Sequence, residues 1–257
     1  MEPCISVTGF RRPSQVDAMR QTFVGAGGFM LGRRLGVGVM TSHSVLHGIF
    51  SPWNDAFPRL NEIAGLLQKH LALFNVLHYA DEYNRQVLEN LLDLTPHAGP
   101  NLHAIQLDMA WPSHTDIKTY RVWHPRIEVI IQVGGKALDL VERAPAKLVE
   151  KLRRYESSIN AVSLEQSTGT GKDLNATELL PFVHAIKEHL PHLHLVVAGD
   201  LGPKTLHLLE PFARLFPDIS TDAQGQRRTS TSAKDRIEWD MAEAYLKENI
   251  HLLRSVR

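Results

Sequence analysis

Eight short β-branched apolar runs recur along the chain, and between them lie longer stretches whose apolar positions fall at three- and four-residue steps. The runs are Ile5 to Val7, Leu35 to Met40, Leu73 to His78, Ala104 to Asp108, Ile127 to Val133, Ala161 to Leu164, Leu193 to Ala198 and Asp218 to Ser220. Helix-like segments follow at Ser14 to Phe23, Arg59 to Lys69, Glu82 to Leu92, Ala144 to Tyr155, Ala176 to His189, Lys204 to Phe216 and Trp239 to Leu253. Leu60, Ile63, Ala64, Leu66, Leu67 and Leu71 have the spacing of a helix that buries one face. The link from Met109 to Arg126, with Trp111, Pro112, Trp123 and Pro125, is expected to be loop plus an irregular helix. Strands that alternate with helices must run parallel. Eight such units of about 25 to 35 residues, with no long composition break, predict one closed (β/α)8 TIM barrel spanning residues 1–257.

Composition narrows the partners. The 28 Lys plus Arg balance 28 Asp plus Glu, so no overall field draws the chain to nucleic acid or an acidic membrane. Neither is expected as a partner. A single cysteine, Cys4, excludes an internal disulfide and any cysteine-rich metal site. No apolar run approaches the roughly 20 residues that span a bilayer, and the first residues lack a secretory layout. A cytoplasmic setting is the expectation, with oligomeric state left open.

In a parallel barrel, chemistry sits at the C-terminal ends of the strands, where the loops converge on one mouth. The exits of the eight runs carry Thr8, then Thr41 and His43, then His78 and Tyr79, then Asp108, Gln132, Glu165 with Gln166, Asp200 and Asp222. Four carboxylates therefore face one mouth. Asp200 and Asp222 also stand where helix caps occur, and His78 could equally be a core histidine bonded to a carbonyl.

Several of these exits resemble a known family. Thr8-Gly9-Phe10-Arg11-Arg12-Pro13 followed by Asp17-Ala18 is similar to the Cys-Gly-Ile-Thr-Arg-Pro…Asp-Ala opening of the phosphoribosylanthranilate isomerases. Gln106-Leu107 resembles that family's Gln-Leu-His-Gly, Gly169-Thr170-Gly171 its Gly-Gly-Thr-Gly, and Ala198-Gly199-Asp200-Leu201 its Ala-Gly-Gly-Leu. Asp218-Ile219-Ser220-Thr221-Asp222 resembles Asp-Val-Ser-Ser-Gly, and Ser51-Pro52 the start of Ser-Pro-Arg. The matches keep the family's order. The resemblance implies a single (β/α)8 barrel and descent from an acid–base isomerase.

Each functional position departs from that pattern. Thr8 replaces the family's basic cysteine and Glu165 its acidic aspartate, and a threonine is no base near pH 7. Trp53 stands where the resemblance puts an arginine for the anthranilate carboxylate. Asp200 and Asp222 replace glycines whose backbone N–H groups would cradle a phosphate. Two anions about 4 to 6 Å from a phosphate dianion cost several kcal/mol at an effective dielectric near 20, which disfavours a metal-free phosphosugar.

Converging carboxylates need protonation, a cation or a basic ligand. Three uses follow for a small polar, sugar-like ligand without phosphate. One is a divalent-metal enzyme with Asp108, Asp200 and Asp222 as ligands, assisted by His78 or His43, and Glu165 as proton shuttle. Another is a metal-free isomerase or epimerase with Glu165 and Asp108 as acid and base. The third is a binding barrel in which the acids and Trp53, Tyr79 and Trp111 hold a ligand. Retained phosphoribosylanthranilate isomerisation, with His43 or His78 as base, is the remaining alternative.

Other motifs carry less. Gly169-Thr170-Gly171-Lys172 lacks the first glycine and the final Ser or Thr of a P-loop, and Gly25-Ala26-Gly27-Gly28 precedes a strand where a dinucleotide fingerprint follows one. His192 and His194 enter a strand at the barrel's N-terminal face and are expected at the surface. His43 and His47 have helical spacing, but Gly48 and Pro52 point to a loop. Lys151, Arg153 and Arg154 form a solvated helix face, and Gln224 to Lys234 reads as a loop able to cover the mouth.

Overall fold

The computed structural model describes residues 1–51, 54–165, 174–199, 201–223 and 238–256. Eight parallel strands close into a barrel in sequence order: β1 (Cys4–Thr8), β2 (Arg34–Ser42), β3 (Leu73–Ala80), β4 (Ala104–Asp108), β5 (Glu128–Val133), β6 (Ala161–Glu165), β7 (His194–Gly199) and β8 (Ser220–Ala223). The seam joins β8 back to β1, with Ile5 beside Thr221 and Ser6 beside Asp222. Helices α1 (Pro13–Gly25), α2 (His43–Leu46), α3 (Ile63–Leu66), α4 (Val87–Ala98), α5 (His114–Trp123), α6 (Gly135–Asp139), α7 (Pro145–Arg153), α8 (Ala176–His189), α9 (Glu210–Leu215) and α10 (Trp239–Ser255) lie in the connections and after β8.

The period of two along each strand divides the core. Ile5, Val7, Leu35, Val37, Leu77 and Leu107 belong to the large outer core, which also contains helix residues such as Leu91 of α4 and Leu246 of α10. The residues between them point inward. Cys4, Phe74, Val76, Ala104, Ile130 and Ala161 form a small apolar core inside the barrel, and the inward positions nearer the C-terminal ends are polar. This change from apolar to polar along the barrel axis creates the mouth.

Two glycines make room for that polar layer. A Cβ on Gly36 would lie 1.9 Å from Ser6 Oγ, and one on Gly38 would lie 2.0 Å from Thr8 Oγ1. Both side chains of β1 thus occupy space that β2 leaves empty. Gly38→Ala should destabilise the fold by about 1–3 kcal/mol through overpacking, read by urea denaturation. An unchanged midpoint would mean that Thr8 can turn aside freely.

At the opposite face, Arg33 is buried and donates to the carbonyls of Ile219, at 2.7 Å, and Pro217, tying the entry of β2 to the entry of β8. His194, expected at the surface, is instead part-buried with Nε2 2.7 Å from Ser220 Oγ. Burial, with help from nearby Lys187, pushes its pKa down to about 3. The unfolded chain therefore takes up a proton that the fold refuses. Stability should fall as pH drops from about 6.5 toward 3, by up to about 1.4 kcal/mol per pH unit from this group. His194→Asn should flatten that part of the acid denaturation curve; an identical curve would remove His194 as its cause.

Several elements differ from the sequence expectation. The segment from Arg59 to Lys69 forms only a 3-10 turn (Leu60–Glu62) and the single turn α3. The helix expected from Glu82 begins at Val87, because the Asp81 carboxylate accepts from the backbone N–H groups of Tyr83 (3.1 Å) and Arg85 (2.6 Å) and holds a turn there. Met109 to Arg126 contains a regular helix, α5, whose first turn is capped by the Ser113 hydroxyl accepting from Asp116 N–H. Strand β8 starts two residues later than expected, at Ser220, so Asp222 lies within it. Among the described residues no helix is long and apolar enough to cross a membrane.

Candidate functional site at the barrel mouth

Inward alternation brings Thr8 of β1, His78 of β3, Asp108 of β4, Gln132 of β5, Glu165 of β6 and Asp222 of β8 to the C-terminal end of the barrel. Four of them form one continuous line. Asp108 Oδ2 lies 3.4 Å from His78 Nδ1, His78 Nε2 lies 3.3 Å from Thr8 Oγ1, and the Thr8 hydroxyl donates to Asp222 Oδ1 at 2.8 Å. Gln106 Nε2 donates to the other oxygen of Asp108 at 2.9 Å, and Gln132 Nε2 donates to Glu165 Oε2. Thr8, His78 and Asp222 are buried, whereas Asp108 and Glu165 retain partial exposure.

The donors and acceptors favour a charged ring. A carboxylate can only accept, so Nδ1 facing Asp108 donates; Thr8 directs its one hydroxyl proton to Asp222, so Nε2 facing Thr8 donates as well. A ring with two N–H groups is an imidazolium. Burial by itself is the largest influence and favours the neutral ring, but Asp108, through charge and hydrogen bond, and then Asp222 and Glu165 together override it. The pKa of His78 is raised.

His78 thus supplies the positive charge that converging acids require. Among the described residues no three His, Cys, Asp or Glu side chains are grouped so as to hold a metal ion. Asp108, considered above as a metal ligand, accepts from Gln106 and faces His78, and Asp222, considered with it, accepts from Thr8. Asp200, the third of that set, lies outside the described residues, as do Trp53, the Gly169–Lys172 loop and the run from Gln224 to Lys234.

His43 does not join this group. It opens α2, a helical turn where a loop was expected, and its ring packs 4.3 Å from that of His47. Its Nδ1 lies 3.2 Å from Asn90 Nδ2 and 3.9 Å from Asp81. Burial, followed by the Arg85 guanidinium, lowers its pKa. Asn90 is the centre of this second cluster, within 2.8 Å of His47 Nε2, 2.9 Å of Tyr79 Oη and 2.7 Å of the Arg85 carbonyl. Tyr79 is therefore a buried anchor between β3 and α4, not a ligand-facing ring. Trp111 is likewise engaged, donating to the Ala137 carbonyl at 3.0 Å with Lys151 over its ring.

Beneath His78 lies a cavity of about 10 Å³, lined on its polar side by Ser6, His78, Gln106 and Asp222. That is space for about one water. A larger ligand would meet the cluster from the loop side, where Asp108 and Glu165 are partly exposed.

No protein-family model and no curated protein sequence matches the chain. Likeness appears among solved structures. The catalytic domain of a hyperthermophilic chitinase from Pyrococcus furiosus superposes with a TM-score of 0.60 at 8% identity, over 99% of this chain and 95% of that one. A catalytic-site mutant of active domain 2 of the thermostable Pyrococcus furiosus chitinase, complexed with chito-oligosaccharides, gives 0.59 at 8% identity, over 96% and 94%. The endo-β1,6-glucanase BT3312 gives 0.56 at 10% identity, over 100% of this chain and 76% of that one. At such identities the likeness establishes the barrel and nothing finer. None of the three is a phosphoribosylanthranilate isomerase.

Proposed function

We propose that the mouth performs acid–base chemistry on a small, sugar-like compound without phosphate, isomerising or epimerising a hydroxycarbonyl. The observation that carries this reading is His78 held between Asp108 and Thr8–Asp222, with Glu165 on the same rim. The positive charge of an imidazolium stabilises a developing oxyanion, and a part-exposed carboxylate removes a proton from the adjacent carbon. Glu165 takes the second part, oriented by Gln132, and Asp108 holds the ring. Asp222, an inward anion where the resemblance puts a phosphate-binding glycine, argues against a phosphorylated substrate. The sugar-polymer names of the structural neighbours accord with a hydroxyl-rich ligand.

The test is wash-in of solvent deuterium at the carbon beside the carbonyl, across a panel of free aldoses, ketoses and amino sugars. Exchange is expected with at least one member and should drop by about 10²–10⁴-fold in Glu165→Gln while circular dichroism is unchanged. Retention of a panel sugar with no exchange in the wild type would instead make this a binding barrel.

A further inference from the structure

Thr8 and Asp222 have no part in the reaction as described so far, yet their geometry links them to it. His78 stands on β3 and Asp222 on β8, so the shorter way round the barrel wall between them crosses β2 and β1. Thr8 bridges that span. It can do so because the β2 residue beside it is Gly38, which has no side chain to stand in the space Thr8 Oγ1 fills.

We infer that Thr8 is a positioning residue that passes a proton between His78 and Asp222, so that carboxylates on different walls of the mouth share one hydrogen-bonded line. This rests on the acid–base reading of the mouth. The hydroxyl accepts from His78 Nε2 at 3.3 Å and donates to Asp222 Oδ1 at 2.8 Å, the arrangement a relay needs. In the step, the Nε2–H and Oγ1–H bonds break as new Oγ1–H and Oδ1–H bonds form. Imidazolium plus carboxylate become imidazole plus carboxylic acid, with no electron transferred and no other reactant. The reverse shift recharges the ring. A cysteine or valine at Thr8 would lack a hydroxyl to serve as both acceptor and donor.

The test needs no substrate. The full chain, labelled with nitrogen-15, is observed at pH 7, with the two ring N–H signals of His78 identified by their loss in His78→Gln. In the wild type both should exchange slowly with water. Thr8→Val should speed exchange of the Nε2 proton by about tenfold or more, the loss expected for a charge-assisted hydrogen bond, while the Nδ1 proton facing Asp108 is retained. Thr8→Ser, which keeps the hydroxyl, should restore the slow rate; Thr8→Ala serves in place of valine if that variant does not fold. Equal Nε2 exchange in wild type and Thr8→Val, or no recovery in a folded Thr8→Ser, would overturn the relay. These signals are independent of deuterium wash-in. A failed relay with wash-in intact leaves the acid–base reading standing, and an intact relay with no wash-in rejects that reading alone.

Discussion

Replacing His78 with leucine should cost about 3–5 kcal/mol of stability at pH 7, the range found when one partner of a buried charged group is removed. The leucine fills the space but leaves Asp108, Asp222 and Glu165 facing one another without the cation that now lies among them. The loss should depend on pH in a particular way. The pKa of His78 is raised in the fold, so its contribution is fully present below about 6.5, the unfolded value, and disappears as pH rises through the folded one. On the acid side, protonation of the uncompensated carboxylates relieves the variant. The difference between wild type and variant should thus peak near neutrality and shrink in both directions, as read by urea denaturation at several pH values. A difference constant across pH would reduce His78 to packing.

Asn90→Leu is expected to destabilise by about 2–4 kcal/mol without touching the mouth. Its amide lies within 2.7 to 3.2 Å of the Arg85 carbonyl, Tyr79 Oη and His43 Nδ1, and its carbonyl oxygen 2.8 Å from His47 Nε2. Leucine would leave several buried polar groups without partners at once. The helical turn α2 and the turn after β3 should loosen together, seen as faster amide hydrogen exchange at His47 and Arg85. Fast exchange at only one of them would mean that the two loops are held independently.

The barrel was legible because its outward strand faces are apolar at every second position and its helices repeat at three and four. That signal weakens where the inward face is polar. Ser220 to Ala223 reads as a polar exit after Asp218 to Ser220, yet it is the strand itself, with Ser220 and Asp222 turned inward and Thr221 bonded to Tyr245 and Asn249 of α10. Which residues reach the mouth followed from the strand ends: Thr8, His78, Asp108, Gln132, Glu165 and Asp222 were all readable. Their pairing was not, because a line from Asp108 to Asp222 joins residues on four strands and depends on a missing side chain at Gly38. His43 was misplaced for the same reason, since its partner Asn90 sits on α4 with nothing in its local pattern to mark it. Asp81, which delays α4, looks from sequence like any other acid in a helix's first turn.

The central claim is that the acidic mouth carries its own cation in His78. The nitrogen-15 shifts of that ring, followed from pH 5 to pH 9 in the intact protein, test it most directly. Both nitrogens should report a protonated ring at pH 7, with the transition above 6.5. A single neutral tautomer at pH 7 would contradict the claim and return the task of neutralising Asp108 and Asp222 to a bound cation or a basic ligand.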